Sequence, residues 1–386
     1  MVYRYEELDS LRGTAAIIVL ISHTLFMFST LEQDIKSSVP FLSFIWNGHS
    51  AVVLFFILSG FVLTLPFEKK VKFSYPKYVI KRYCRIYLPY LIILSVAIIL
   101  KGILVNRVGT IPNLQQWAFW SKETSILSLV QHIFFLVEFD ADAFLMVIWS
   151  LVHEMRISLI FPFVVLLLLR VNWKYSLSIA MLSSVLSFTL IKLIPTKFDL
   201  AISTNYFISL HYLSMFIIGS IIAINRNVII NWAKSSKLTI AIGVASFFLF
   251  NYPEVPYMVI GKLFGNIDYL LFQMFMDWII LAGGAGIVIC SLSLRSFSKL
   301  LLYRPVNFLG QISYSIYLVH PVILITLAHS LYGFLPTPVI LLIAFVLTFI
   351  IAAVCYKYIE QPSVNLGKRL TGIKKMDKSI QKEASA

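Results

Sequence analysis

Apolar runs of roughly 20 residues recur along the chain, separated by short polar stretches, and a helix of that length crosses a ~30 Å hydrocarbon slab. The runs predict spanning helices at Leu11 to Thr30, Ser50 to Pro66, Arg85 to Val105, Met146 to Leu169 and Tyr175 to Ile194. They continue at Tyr206 to Asn225, Leu238 to Asn251, Tyr269 to Leu292, Phe308 to Ser330 and Leu335 to Tyr358, about ten in all. Ser125 to Val137 is also apolar, but it is short and bounded by acids, so it reads as a re-entrant or interfacial piece. The predicted class is an all-α polytopic membrane protein.

Composition points the same way. Of 386 residues, 59% are hydrophobic and 13% charged, with mean hydropathy +0.86, whereas a soluble globular chain carries about 25% charged residues. Lys and Arg orient the spans, because cytoplasmic loops retain positive charge and translocated loops lose it. One set of loops holds Lys69, Lys70, Lys72, Lys77, Lys81, Arg82 and Arg85, then Arg170 and Lys174, then Arg226, Lys234 and Lys237, then Arg295, Lys299 and Arg304. The end of the chain adds Lys368, Arg369, Lys374, Lys375, Lys378 and Lys382, while the long loop Asn106 to Leu145 has only Arg107 and Lys122. Both termini are therefore expected in the cytoplasm. Residues 1–362 form the membrane domain and 363–386 a basic, mobile tail.

The net charge of +14 does not signal nucleic acid, since these cations lie beside spans, where topology and anionic lipid headgroups account for them. Cys84, Cys290 and Cys355 are an odd number near inner helix ends, which argues for free thiols and against a disulfide framework. No small-residue cleavage site follows the first apolar run, so that run reads as a retained span.

Ionisable side chains inside spans are costly and tend to face the bundle interior at a pathway or reaction site. Those singled out are His23, His153, Glu154, Arg156, Asp277 and His320. Arg12 and His23 are separated by ten residues; eleven steps of an α-helix bring both side chains within about 20° of one face and ~16 Å apart along the axis. Arg12 in the first turn would oppose the helix dipole and so needs an anion, either Asp9 or a ligand phosphate or carboxylate. Glu154, ~12 Å into its span, stands at a depth similar to His23, where a carboxylate would fix the imidazole tautomer. Pairing with Arg156 for solvation alone is the competing reading of Glu154.

Arg82 and Arg85, at i and i+3, can grip phosphates in bidentate fashion or anchor lipid headgroups. Ser59 and Gly60 put a small pair inside the aromatic bulk of Phe55 to Phe61, permitting close helix approach or a thin ligand. His49 precedes that helix on the outer side. Gly310 to Pro321 lines up Ser313, Tyr314, Ser315, Tyr317 and His320, a run that hydrogen bonding between helices would also explain.

The ordered set of stretches resembles the acyltransferase family 3 membrane O-acyltransferases over nearly the whole chain. They are Leu8-Asp9-Ser10-Leu11-Arg12-Gly13 with His23, Phe55 to Phe61, Arg82-x-x-Arg85, Trp149-Ser150-Leu151 with Glu154, Ser313-Tyr314 to His320, and Glu360-Gln361-Pro362. One departure is Met155-Arg156 after Glu154, where the family often has another acid or amide and aromatics; it bears on the acceptor class. The resemblance implies a multi-pass enzyme of the cytoplasmic (inner) membrane. Such an enzyme moves an acyl group, usually acetyl, from acyl-CoA to a hydroxyl of an envelope or exported carbohydrate, with no metal. By the same resemblance His23 is catalytic base or transient acyl carrier, with Glu154 beside it. Arg12, Arg82 and Arg85 would hold the donor, and His49, Trp149, Tyr314 and His320 the acceptor. A polytopic transporter or flippase for a glycan or glycolipid is the competing class, since central ionisable groups also suit carriers; no similarity between the two halves supports it.

Overall fold

The computed structural model describes residues 5–68, 73–104, 111–115, 120, 124–194, 204–233, 236–256 and 268–372. Among these, regular structure is helical, with two isolated β-bridges and no named strand. In hydrocarbon a helix satisfies its own backbone donors and acceptors, which is why apolar runs become helices. The helices are α1 (Glu6–Leu25), α2 (Ser29–Ser38), α3 (Gly48–Thr64), α4 (Tyr75–Arg82), α5 (Leu88–Leu104), α6 (Ile126–Phe134), α7 (Ile148–Leu168) and α8 (Trp173–Leu193). They continue as α9 (Ile208–Trp232), α10 (Ser236–Asn251), α11 (Tyr269–Ser293), α12 (Arg295–Leu301), α13 (Arg304–Leu331), α14 (Thr337–Cys355) and α15 (Gln361–Leu370).

Nine stretches among the described residues are long and apolar enough to cross a membrane. The tenth predicted span is α10, which is apolar but shorter. The protein is a polytopic all-α chain. The piece at Ser125 to Val137 contains α6, capped by the Ser125 hydroxyl accepting from the Ser128 N–H, with Ile126, Leu127, Ile133 and Phe134 exposed. Lys69, Lys70, Lys72, Arg107, Lys122, Lys234 and the tail from residue 373 lie outside the described residues. The first part of the expected mobile tail is helical as far as Leu370.

The first span is displaced from its expected limits. Glu6, Glu7 and Asp9 occupy the first turn of α1, where carboxylates complement the helix dipole. Arg12 consequently falls in the second turn, and the helix stops at Leu25 rather than Thr30. His23 is thereby in the last turn of α1, yet it meets α13 at His320, near that helix's midpoint.

Glycines set the two closest crossings. A Cβ on Gly13 would lie 2.4 Å from the Gly310 nitrogen, bringing α1 against α13, and one on Gly60 would lie 2.1 Å from the Phe216 carbonyl oxygen, bringing α3 against α9. Without a hydrophobic gradient between helices in lipid, close backbone approach of this kind is a principal source of packing energy. Thr64 and Ser220 hydroxyls, 2.5 Å apart, tie α3 to α9 further.

Two π-turns shape the basic end. Tyr83–Tyr87 joins α4 to α5, closed by the Leu88 N–H donating to the Tyr83 carbonyl, and Tyr356–Glu360 joins α14 to α15, closed by the Gln361 N–H donating to the Tyr356 carbonyl. Each lies just before a proline, Pro89 or Pro362. Proline gives no N–H and crowds the carbonyl four residues back, and an extra residue in the turn relieves that. Gly367 of α15 packs on the first π-turn, its Cβ position 2.9 Å from the Cys84 Cβ.

Candidate functional site

Between α1, α3, the α4–α5 π-turn, α7 and α13 lies a partly open cleft of about 740 Å³ including open solvent. Arg12, Arg82 and Arg85 line its basic end, and Ser59, Ser150, Glu154, Ser313, Tyr314 and Tyr317 supply the rest of its polar wall. Three helical elements thus converge their guanidinium groups on one space.

Their roles differ. Arg82 is buried, its Nη2 donating to the Glu154 Oε1 at 3.0 Å and to the Ser158 hydroxyl at 2.7 Å; Ser59 donates to the same carboxylate oxygen at 3.2 Å. Arg85 is exposed and Arg12 half-buried, and among the described residues neither makes a hydrogen bond. The π-turn separates the pair: Arg82 ends α4 pointing at α7, while Arg85 sits within the widened turn. The i, i+3 pair is thus split between Arg82, held by Glu154 and Ser158, and Arg85, which faces the same cavity.

The expected meeting of Glu154 with His23 is not what the structure has. Glu154 is the counter-ion of Arg82, because the turn of α7 that carries it faces the α4 end. Nor does Glu154 neutralise Arg156. That guanidinium donates to the carbonyls of Leu136, Val137 and Thr204 at 3.0, 2.8 and 2.5 Å and lies over the Tyr206 ring, so it staples the loop before α7 to the start of α9.

His23 is oriented by another histidine. His23 Nδ1 is 2.8 Å from His320 Nε2, with the rings stacked at 5.1 Å, and His320 Nδ1 is 3.0 Å from the Ile316 carbonyl. A carbonyl only accepts, so His320 carries its proton on Nδ1 and presents a lone pair at Nε2. His23 then donates from Nδ1, which leaves the basic lone pair on its own Nε2. His320, expected to touch acceptor, is buried against His23.

His23 does not line the cavity. The cavity approaches the pair from the His320 side: Tyr317, a lining residue, packs edge-on to His320 at 6.0 Å, and its hydroxyl is 2.6 Å from the Ser150 hydroxyl. Tyr314 also lines the cavity and donates to the Ile86 carbonyl at 2.7 Å, bridging α13 to the π-turn. Trp149 is buried against His153 and Tyr212 rather than in the cavity. His153 pairs with the Ser209 hydroxyl at 2.8 Å. Tyr317 and Ser150 stand in the sequence motifs but carry no site role there, since only the crossing of α7 and α13 brings their hydroxyls together.

His49 stands apart, at the first turn of α3, with its Nε2 2.5 Å from Asp277 Oδ1. The other oxygen, Oδ2, is 3.1 Å from His211 Nε2. His211, on α9, was absent from the ionisable residues picked out in the sequence. Its signal was the same as theirs, a lone imidazole in an apolar run.

With this arrangement in view, comparison with known proteins matches residues 5–357 to a family model for an acyltransferase domain. The chain belongs to acyltransferase family 3. No curated protein and no solved structure matches it. As a member of that family with nine long apolar helices among the described residues, the protein is a membrane acyltransferase. The family's breadth of match takes in every element that lines the cavity, from α1 to α13.

Proposed function

We propose that the protein transfers an acyl group, acetyl in the simplest case, from acyl-CoA at its basic face to a hydroxyl of an envelope or exported carbohydrate at the opposite face of the inner membrane. The observation that carries this reading is the convergence of Arg12 and Arg85 on a cavity reaching within one ring of the His23–His320 pair. CoA is a polyanion with a thin arm. Guanidinium groups without a hydrogen-bond partner among the described residues suit its phosphates, and the ~16 Å rise from Arg12 to His23 along α1 suits its pantetheine.

In this mechanism Arg82 and Glu154 brace the wall, and Tyr317 gates the thioester's approach to His23. The His23 Nε2 lone pair attacks the thioester carbon, the C–S bond breaks, and the thiolate leaves toward the basic face. The Nδ1 proton of His23 passes to His320 Nε2, so the acyl-imidazole is neutral. A largely water-excluding bundle protects it from hydrolysis.

A carbohydrate acceptor is supported by a second cleft, of about 880 Å³ including open solvent, beyond the last turn of α1. Phe26, Trp46 and Tyr252 offer ring faces there, with Lys36, Asn47 and Glu254 as polar edges. Apolar faces rimmed by a few hydrogen-bonding groups suit a sugar ring.

The test is thioester consumption by purified protein. Free thiol released from acetyl-CoA on adding glycan from cells that lack the protein supports transfer. Glycan movement across vesicles without CoA turnover would instead identify a carrier.

A further inference from the structure

Resting on that reading, the acceptor hydroxyl has a proton to lose, and the one lone pair left on an acylated His23, at Nδ1, is turned to His320 Nε2 and engaged by the proton it has just passed there. A second base is required on the acceptor's side. The residues just before His23 and His49 touch: a Cβ on Gly48 would lie 3.0 Å from the Ser22 Oγ. His49 is therefore on the element that abuts the end of α1, with its side chain 48% exposed.

Behind His49 runs a chain of hydrogen bonds whose direction is fixed by chemistry. The Trp278 indole N–H can only donate, and it is 3.2 Å from the Ser184 Oγ. Ser184 lies 3.1 Å from His211 Nδ1. Asp277 is buried and faces an imidazole nitrogen with each oxygen. A carboxylate only accepts, so both His211 and His49 carry protons on Nε2. His49 is left with its lone pair on Nδ1, which has no hydrogen-bond partner among the described residues. Four helices contribute to the chain: α3, α8, α9 and α11. His49, Asp277 and His211 therefore share one hydrogen-bonded path along which a proton can be held.

We propose that His49 is the acceptor-side general base of the transfer, with Asp277 and His211 as its positioning residues. The acceptor oxygen attacks the acyl carbon and forms the new C–O bond. Its proton goes to His49 Nδ1, where Asp277 stabilises the imidazolium. The C–N bond to His23 breaks, and His23 Nδ1 recovers its proton from His320. His49 then releases its proton to the solution it half faces, while the CoA thiolate takes one at the basic face.

The experiment uses full-length protein in nanodiscs with acetyl-CoA, measuring CoA release in water alone and with unacylated glycan from cells lacking the protein. His49→Ala and Asp277→Asn should lower the glycan-dependent rate by roughly 10²-fold or more, the scale of general-base catalysis, with the affinity for acetyl-CoA unchanged. His211→Gln should lower kcat while leaving the glycan KM in place, which a merely structural defect would not do. Retained acetyl-CoA affinity certifies the fold of each variant. Wild-type glycan-dependent rates in His49→Ala and His49→Gln would overturn the proposal. No CoA release by the wild type would overturn the acyl-CoA reading, and this inference with it.

Discussion

His23 and His320 share one hydrogen bond, 2.8 Å from Nδ1 to Nε2, and the partner that orients the candidate nucleophile is thus a neutral imidazole rather than a carboxylate. The Ile316 carbonyl at the far side of His320 sets the tautomer of both rings. The pair behaves as one unit, holding one proton between two nitrogens.

From this relationship His23→Ala should abolish acyl transfer. His320→Ala should reduce it by roughly 10²- to 10⁴-fold, the range for losing acid–base assistance, with little change in acyl-CoA affinity. His320→Gln should recover part of that, because its amide oxygen can accept from His23 Nδ1–H. Steady-state kinetics on the three variants checks the order.

Arg82 and Glu154 form a largely buried ion pair, with side chains 11% and 20% exposed. Removing one partner strands the other charge, at about 3–5 kcal/mol for a fully buried pair; some access to water makes the cost smaller here. Glu154→Ala should lower the thermal midpoint in detergent clearly. Adding Arg82→Met to Glu154→Ala should restore part of the loss, and strictly additive effects would contradict the pairing.

Arg12→Gln and Arg85→Gln should each weaken acyl-CoA binding by about 1.5–3 kcal/mol, the scale of a hydrogen bond to a charged group, or roughly 10- to 100-fold. Isothermal titration with desulfo-CoA reads this directly. Binding to the wild type should fall with added salt, since the basic mouth is open and screened. Equal affinity of dephosphorylated pantetheine for variants and wild type would show that phosphate is the group recognised.

Gly13→Leu and Gly310→Leu should both fail to give monodisperse protein. At either position a Cβ would collide with backbone 2.4 Å away on the facing helix, and backbone cannot step aside as a side chain tip can. Gly102→Leu, where nothing lies within 4 Å of the added carbon, should be tolerated. Size-exclusion profiles of the three proteins compare them.

Much of this protein was legible along one dimension. Each apolar run became a helix because lipid offers the backbone no other partner, and the ordered motifs from Arg12 to His320 identified the family because they are strings of neighbours. The shared face of Arg12 and His23 is a property of a single helix, so counting residues sufficed. What the string did not contain was the choice of partner across helices. Glu154 turned to Arg82 rather than His23, His320 took up His23, and Asp277 drew in His49 and His211 from two other helices. Those choices depend on how far each helix is rotated and where Gly13 and Gly60 let backbones touch. Small residues and close packing decide that in a membrane, and it is settled only when all the helices are in place together.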